Sequence, residues 1–139
     1  MNDFKKTEES FSRQGLMKTL GATLNAVEHG KVTITVPFQD SLTQQNGYFH
    51  AGVMTSILDS ACGYAALTTL AEDSEVLTVE FKINFLKPAI ARELIAVGHV
   101  IQSGKRLVVC EGTVYDETKE KILAKMMATI IITKIGSRL

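Results

Sequence analysis

One carboxylate stands in a run of apolar and small residues from His50 to about Leu70: Asp59, between Ile57-Leu58 and Ala61-Cys62. Taking an unpaired carboxylate out of water costs on the order of a few kcal/mol, so Asp59 requires a hydrogen-bonding partner or a pocket open to solvent. Held in that way, it can take a proton from water or attack a carbonyl. The plainer alternative is a carboxylate on the wet stripe of a helix, or one bonded to neighbouring backbone. His50 opens the same run, nine residues before Asp59. At about 100° per residue that is two and a half helical turns, which points the two side chains in opposite directions and offsets them by about 13.5 Å along the axis. They cannot meet within one chain, so a site that uses both combines His50 of one subunit with Asp59 of another. Taken alone, His50 is a helix cap or a packed loop histidine. The approach Asn46-Gly47-Tyr48-Phe49-His50-Ala51-Gly52 adds a second chemical element. Amides at a helix start, with the positive end of the helix dipole behind them, bind an oxyanion. Ala51 and Gly52 are small enough to let a carbonyl approach, and a donor aimed at developing charge is worth about 3 kcal/mol.

These residues need elements to hold them. Thr7-Glu8-Glu9 ahead of Phe11, Leu16, Met17 and Leu20 predicts a short amphipathic helix stopped at Gly21. Thr23 to Ala26 and Val32 to Phe38 alternate on either side of Glu28-His29-Gly30-Lys31, as a hairpin does. The run from His50 to Leu70 has neither Pro nor strand-like alternation and predicts a helix, apolar on nearly every side and therefore buried on every side. Leu77, Val79, Phe81, Ile83 and Phe85 then alternate with Thr78, Glu80, Lys82 and Asn84, predicting a strand with those two faces that ends at Pro88. Glu93–Gln102, Arg106–Tyr115 and Ile122–Lys134 follow as strands joined by short turns, an antiparallel meander. The fold class is α+β: a curved antiparallel sheet wrapped around one long central helix. One helix cannot cover the whole sheet, and its Val-rich and Ile-rich strands call for a partner subunit.

Composition narrows the chemistry. The chain has 139 residues, 45% hydrophobic and 22% charged, with Lys+Arg 15 against Asp+Glu 15. That fits a single domain over 1–139, with 1–21 as a helical lead-in. Balanced charge offers no field for a phosphate backbone, so no nucleic-acid partner is expected. The longest apolar run, Ala124 to Thr133, is broken by Lys125 and is too short for a bilayer. No signal peptide is read in MNDFKKTEES, and Cys62 and Cys110 lack C-x-x-C spacing. The expectation is a cytoplasmic protein with two buried, reduced and inert thiols. His29, His50 and His99 show no H-x-x-x-H spacing and no carboxylate cluster, so no metal is expected, and no G-x-S-x-G elbow is present.

Gln45-Asn46-Gly47-Tyr48-Phe49-His50-Ala51-Gly52 with Asp59 nine positions after the histidine resembles the His-Gly-Gly…Asp signature of hotdog-fold acyl-CoA thioesterases of the PaaI-like (phenylacetic acid degradation) group. Thr78 to Pro88 is similar to the strand that follows the helix in that family, and the likeness runs from about Ala22 to Thr133. It implies a hotdog fold and hydrolysis of an acyl-CoA thioester, with CoA as part of the substrate and no separate cofactor. It also implies a homo-oligomer, a dimer or a dimer of dimers. By the same resemblance, Asp59 is general base or nucleophile, the Ala51 N–H with Gly52 beside it holds the thioester carbonyl, His50 orients the loop or helps hold the thioester, and Thr78 assists or positions the water. Two departures touch the site. Ala51 replaces the first glycine of the motif, and the amide usually six positions before the histidine has two candidates here, Gln44 at six and Asn46 at four, with Asn46 preferred. Phe49, Val53, Met54, Tyr64 and Phe81 suggest an acyl or aryl pocket, and Lys82, Lys87, Arg92, Lys105 and Arg106 are candidates for the CoA phosphates. Two rivals remain: a catalytically silent acyl-CoA or lipid-binding hotdog module, and a hotdog hydratase or dehydratase. The second lacks the His-Phe-Pro and Asp-x-x-x-x-His motifs expected of it.

Overall fold

The computed structural model describes residues 4–136. In chain order it contains α1 (Lys5–Ser12), α2 (Gly15–Leu20), β1 (Thr23–Glu28), β2 (Lys31–Pro37), a 3-10 turn (Asp40–Leu42), α3 (Ala51–Leu67), β3 (Ser74–Phe85), β4 (Glu93–Ser103), β5 (Leu107–Tyr115) and β6 (Ile122–Lys134). The strands form one sheet in the order β1-β2-β4-β5-β6-β3, every pair antiparallel. This is the α+β hotdog arrangement, with α3 as the filling and the sheet wrapped around it. Helix α3 also carries the chain from β2 to the far edge, where β3 pairs with β6 alone.

Two glycines set how closely α3 approaches the sheet. Gly98 on β4 and Gly112 on β5 are cross-strand partners. A Cβ on Gly98 would stand 2.5 Å from the carbonyl carbon and oxygen of Ala61, and one on Gly112 would stand 2.8 Å from a Leu58 methyl. Helix backbone therefore rests directly on strand backbone, and Ala61, Cys62, Ala65 and Ala66 are wholly buried there. The Cys110 thiol donates to the Cys62 carbonyl at 3.5 Å. Burial pushes the Cys110 thiol up from 9.0 to about 11, and Cys62 further still.

Three details differ from the sequence reading. The lead-in is two helices, because the chain breaks at Arg13-Gln14 with Gln14 extended (φ −76°, ψ 107°). Gly21, at φ 69°, ends the second of them. Helix α3 is not buried all round: Gly52, Thr55, Ser56, Asp59 and Gly63 form a half-buried stripe at steps of three and four residues. Strand β3 does not keep its alternation either. Thr78 pairs with Ile130 and Glu80 with Thr129, so Val79 is the extra residue of a β-bulge. Val76 and Thr78 consequently share the inner face with Phe81 and Ile83, whose partners Ala128 and Met126 are core residues. Thr78 thus leaves the face that simple alternation assigns to it.

Replacing Gly98 with Ala is expected to cost about 3 kcal/mol in urea unfolding, since the methyl group displaces backbone rather than a flexible side chain. Gly15→Ala, which opens onto free space, is the control and should change stability by less than about 0.5 kcal/mol. The thiols carry a second expectation. Folded Cys110 keeps its proton to about pH 11, against 9.0 for an ordinary thiol. Its contribution is therefore complete below the ordinary thiol value and is lost as pH rises through the folded one. Unfolding measured across that alkaline window should show a shallower decline in Cys110→Ala than in the parent, and neither thiol should react with a disulfide reagent before unfolding.

Candidate active site

The bulge at Val79 aims Thr78 at helix α3, and its hydroxyl donates to Asp59 Oδ1 at 2.6 Å. Asp59 lies on the half-buried stripe of α3, so its carboxylate has both a partner and an opening. Among the described residues Oδ2 makes no hydrogen bond. A carboxylate with one oxygen fixed and the other open is suited to accept a proton from a molecule in front of it. The space in front is a cavity of about 330 Å³ whose walls include Asp59, Thr78, Ser60, Tyr64, Gln14 and Ser10.

The second group of residues lies at the helix start. The loop before α3 is tied down by backbone bonds from Phe49 N–H to the Ala89 carbonyl (3.1 Å), from His50 N–H to that of Leu42 (2.9 Å) and from Gln44 N–H to that of Tyr48 (2.8 Å). Phe49 is buried, with its ring edge-on to Phe38 at 5.4 Å. His50 takes the N-cap position (φ −64°, ψ 139°), and its Nδ1 accepts the Gly52 N–H at 2.7 Å. An accepting Nδ1 places the proton of the neutral ring on Nε2. The helix-cap alternative for His50 is therefore realised. It also occupies the Gly52 amide, which leaves the Ala51 N–H, the first of the helix, to meet an incoming acceptor.

Gln44 and Asn46 separate clearly. Gln44 Oε1 accepts from the Asn46 and Tyr48 amides at 2.5 and 3.2 Å, clamping a turn that passes through Gly47 at φ 83°. Asn46 is exposed at the tip of that turn.

The residues singled out in the sequence fall into two places. Asp59 and Thr78 share one cavity, whereas His50 and Gly52 open onto another, of about 360 Å³, beside Leu20 and Val53. Of the apolar candidates for an acyl pocket, Tyr64 lines the Asp59 cavity, Val53 the other, and Phe49 and Met54 are core residues. The basic candidates divide as well: Lys87 and Arg92 lie between β3 and β4, and Lys105 and Arg106 lie in the β4–β5 turn at the opposite end of the sheet. Gln14, Ser60 and Ser10 were not anticipated. The helical spacing of Ser60 and Tyr64 beside Asp59 is the signal that points to part of this wall.

Residues 46–123 match the family model of the thioesterase superfamily. The chain belongs to that family. It is 31% identical over 120 residues to the 1,4-dihydroxy-2-naphthoyl-CoA hydrolase of Listeria monocytogenes, covering 86% of this chain and 97% of that one. A thioesterase family protein from Silicibacter pomeroyi is 40% identical and superposes with a TM-score of 0.92 over 96% of this chain and 99% of its own. The E. coli PaaI protein of the phenylacetic acid degradation operon shares the fold, with a TM-score of 0.86 at 20% identity, covering 97% of this chain and 94% of its own. The protein is a thioester hydrolase. Among the described residues of this thioesterase, no helix is long and apolar enough to cross a membrane.

The His50 cap gives a measurable expectation. His50→Ala removes the acceptor of the Gly52 N–H and should cost about 1 kcal/mol in chemical unfolding, whereas His50→Asn, a good cap, should recover most of it. Recovery of stability without recovery of thioesterase turnover would assign His50 a role beyond the cap.

Proposed function

We propose that this thioesterase hydrolyses acyl-CoA thioesters at sites shared between two copies of the chain, each combining Asp59 and Thr78 of one subunit with the α3 start of the other. The observation that carries the reading is the Thr78–Asp59 hydrogen bond facing a cavity, next to an edge strand with an apolar surface. Along β3 and just after it, Leu77, Val79, Phe85 and Leu86 are 50%, 55%, 46% and 54% exposed. An apolar edge of this length invites a second strand. If β3 pairs antiparallel with its own copy, the Ser74–Thr78 end of one strand meets the Phe85 end of the other. Just beyond Phe85 comes Ala89, whose carbonyl anchors Phe49 and hence His50 and Ala51. The two-fold axis therefore draws each helix start toward the partner's Asp59, which the helical arithmetic requires.

In this arrangement the thioester carbonyl oxygen accepts the Ala51 N–H, and the Asn46 amide, exposed and uncommitted, donates beside it. Asp59 takes a proton from water through Oδ2 while the Thr78 hydroxyl steadies Oδ1. The water oxygen bonds to the carbonyl carbon and the C–S bond breaks. The proton held by Asp59 then passes to the departing CoA sulfur, which restores the carboxylate. The same oxygen is also placed to attack directly and form a mixed anhydride that water opens; transfer of ¹⁸O from labelled water into Asp59 marks that route. The CoA hydrolase from Listeria supports a CoA thioester as substrate. So does the charge distribution, because the two-fold axis brings Lys87 of one subunit to the end of the sheet where Lys105 and Arg106 of the other stand.

Asp59→Asn should lower kcat by at least about 10³-fold on the best of a panel of short, medium, long and aryl acyl-CoAs, with the oligomer unchanged, and Thr78→Val by about 10-fold or more. Ala51→Pro removes only the proposed oxyanion donor, since Pro is tolerated at the first position of a helix and His50 already has the extended backbone that precedes Pro. Mixing and reassociating the inactive Asp59→Asn and Ala51→Pro proteins rebuilds one intact site in each mixed dimer, so about a quarter of the parent activity should return. Absence of any recovery, with mixed dimers demonstrated, would place the site within one chain.

A further inference from the structure

The cavity beside Asp59 contains a second polar cluster that hydrolysis itself does not use. At the break between α1 and α2, the Gln14 side chain reaches α3: its Nε2–H donates to the Tyr64 hydroxyl at 3.0 Å, and its Oε1 accepts from Ser60 at 3.1 Å. Ser10 shares a hydrogen bond of 3.0 Å with the same Tyr64 hydroxyl. Phe11 packs edge-on to the Tyr64 ring at 6.0 Å, which holds that ring in place, and Tyr64 is only 5% exposed. Ser10, Gln14, Ser60 and Tyr64 line the same cavity as Asp59 and Thr78, with Gly63 and Leu67.

The cluster stands where an acyl group would end. Tyr64 is five residues beyond Asp59 on α3, about 7.5 Å along the axis. With the thioester carbon at Asp59, that span accommodates a ring or a few carbons before the chain meets the cluster. Every buried side-chain nitrogen and oxygen among the described residues has a partner. A long alkyl chain would have to part these groups and leave them unpaired in an apolar contact, whereas a substituent that donates or accepts can exchange with them. We propose that Gln14 and Tyr64 set the acyl specificity of this thioesterase, selecting a compact acyl group with a hydrogen-bonding substituent at its far end and turning away long unbranched chains. The inference rests on Asp59 as the catalytic carboxylate. It gives the N-terminal helices, which contribute nothing to the sheet, a part in substrate choice.

The test is kcat/KM for butyryl-, benzoyl-, 4-hydroxybenzoyl- and decanoyl-CoA, followed by thiol release. The parent protein should prefer 4-hydroxybenzoyl-CoA to benzoyl-CoA by about tenfold and to decanoyl-CoA by more. Gln14→Leu should bring the first ratio close to one and raise decanoyl-CoA relative to the aryl substrates. Tyr64→Phe keeps the ring and deletes only the hydroxyl, so it should shift the ratios in the same direction. Damaged packing lowers all four substrates together and leaves the ratios alone. Ratios unchanged in both variants, or a parent that prefers decanoyl-CoA, overturn the inference while Asp59-dependent turnover of butyryl-CoA leaves the catalytic reading standing. No thiol release from any of the four by the parent overturns both.

Discussion

The contact on which the other positions depend is backbone against backbone: Ala61-Cys62 of α3 seated on the Gly98–Gly112 pair of β4 and β5. A side chain at either glycine would lift the helix from the sheet. Because it rests there, the helix face carrying Ala61, Cys62, Ala65 and Ala66 is fully covered, and the stripe from Gly52 through Ser56 and Asp59 to Gly63 must lie away from the middle of the sheet. Asp59 thereby comes level with the inner face of the edge strand β3. The position of the carboxylate follows from how two glycines pack rather than from any contact of its own.

The edge strand completes the arrangement by breaking its own rule. A regular strand would present Thr78 on the same side as Glu80 and Lys82. One extra residue at Val79 reverses the alternation and turns the Thr78 hydroxyl inward, within 2.6 Å of Asp59. Bulges raise local twist and re-aim side chains at sheet edges, and here that displacement supplies the one hydrogen bond that the half-buried carboxylate makes among the described residues. It also leaves Leu77 and Val79 exposed on a strand that pairs on one side only among the described residues, so the distortion that serves the carboxylate also leaves apolar surface on that edge.

Much of this was legible from residue order. The hairpin around His29-Gly30, the helix after Gly47 and the four strands that follow it lie where periodicity and turn residues put them, because each is a local signal repeated several times. Asp59 was conspicuous for the same reason, as one charge against an apolar background. The bulge was not legible: Thr78-Val79-Glu80 contains no glycine, and a single added residue leaves a pattern that still alternates. Thr78 was reached only through the family resemblance. The half-buried stripe of α3 is hidden in the sequence because Gly52 and Gly63 read as small residues that fill a core, although with Thr55, Ser56 and Asp59 their steps of three and four trace one face. Gln14 lies at a helix break that Gly15 hints at, but its hydrogen bonds reach residues about fifty positions away, a distance no local pattern spans.

A single helix has one start and one run of side chains, and in this chain the two parts given chemical roles in the proposed site, the Ala51 amide and the Asp59 carboxylate, lie about 12 Å apart along its axis. No adjustment of loops brings them together, because the separation is a property of helical geometry. The proposed two-fold axis would do so without new residues: it would set two helices antiparallel, so that the start of each approaches the middle of the other, and would cover both apolar edges at once. The polar cluster of Gln14 and Tyr64 is built within one subunit. Substrate would then span three regions in order: basic residues at the sheet ends for the CoA phosphates, the shared carboxylate and amide for the thioester, and a wall built by the N-terminal helices for the acyl group. On the proposed reading, changes in α1 and α2 would alter what is hydrolysed while leaving untouched the glycine seat and the bulge that position Asp59 and Thr78.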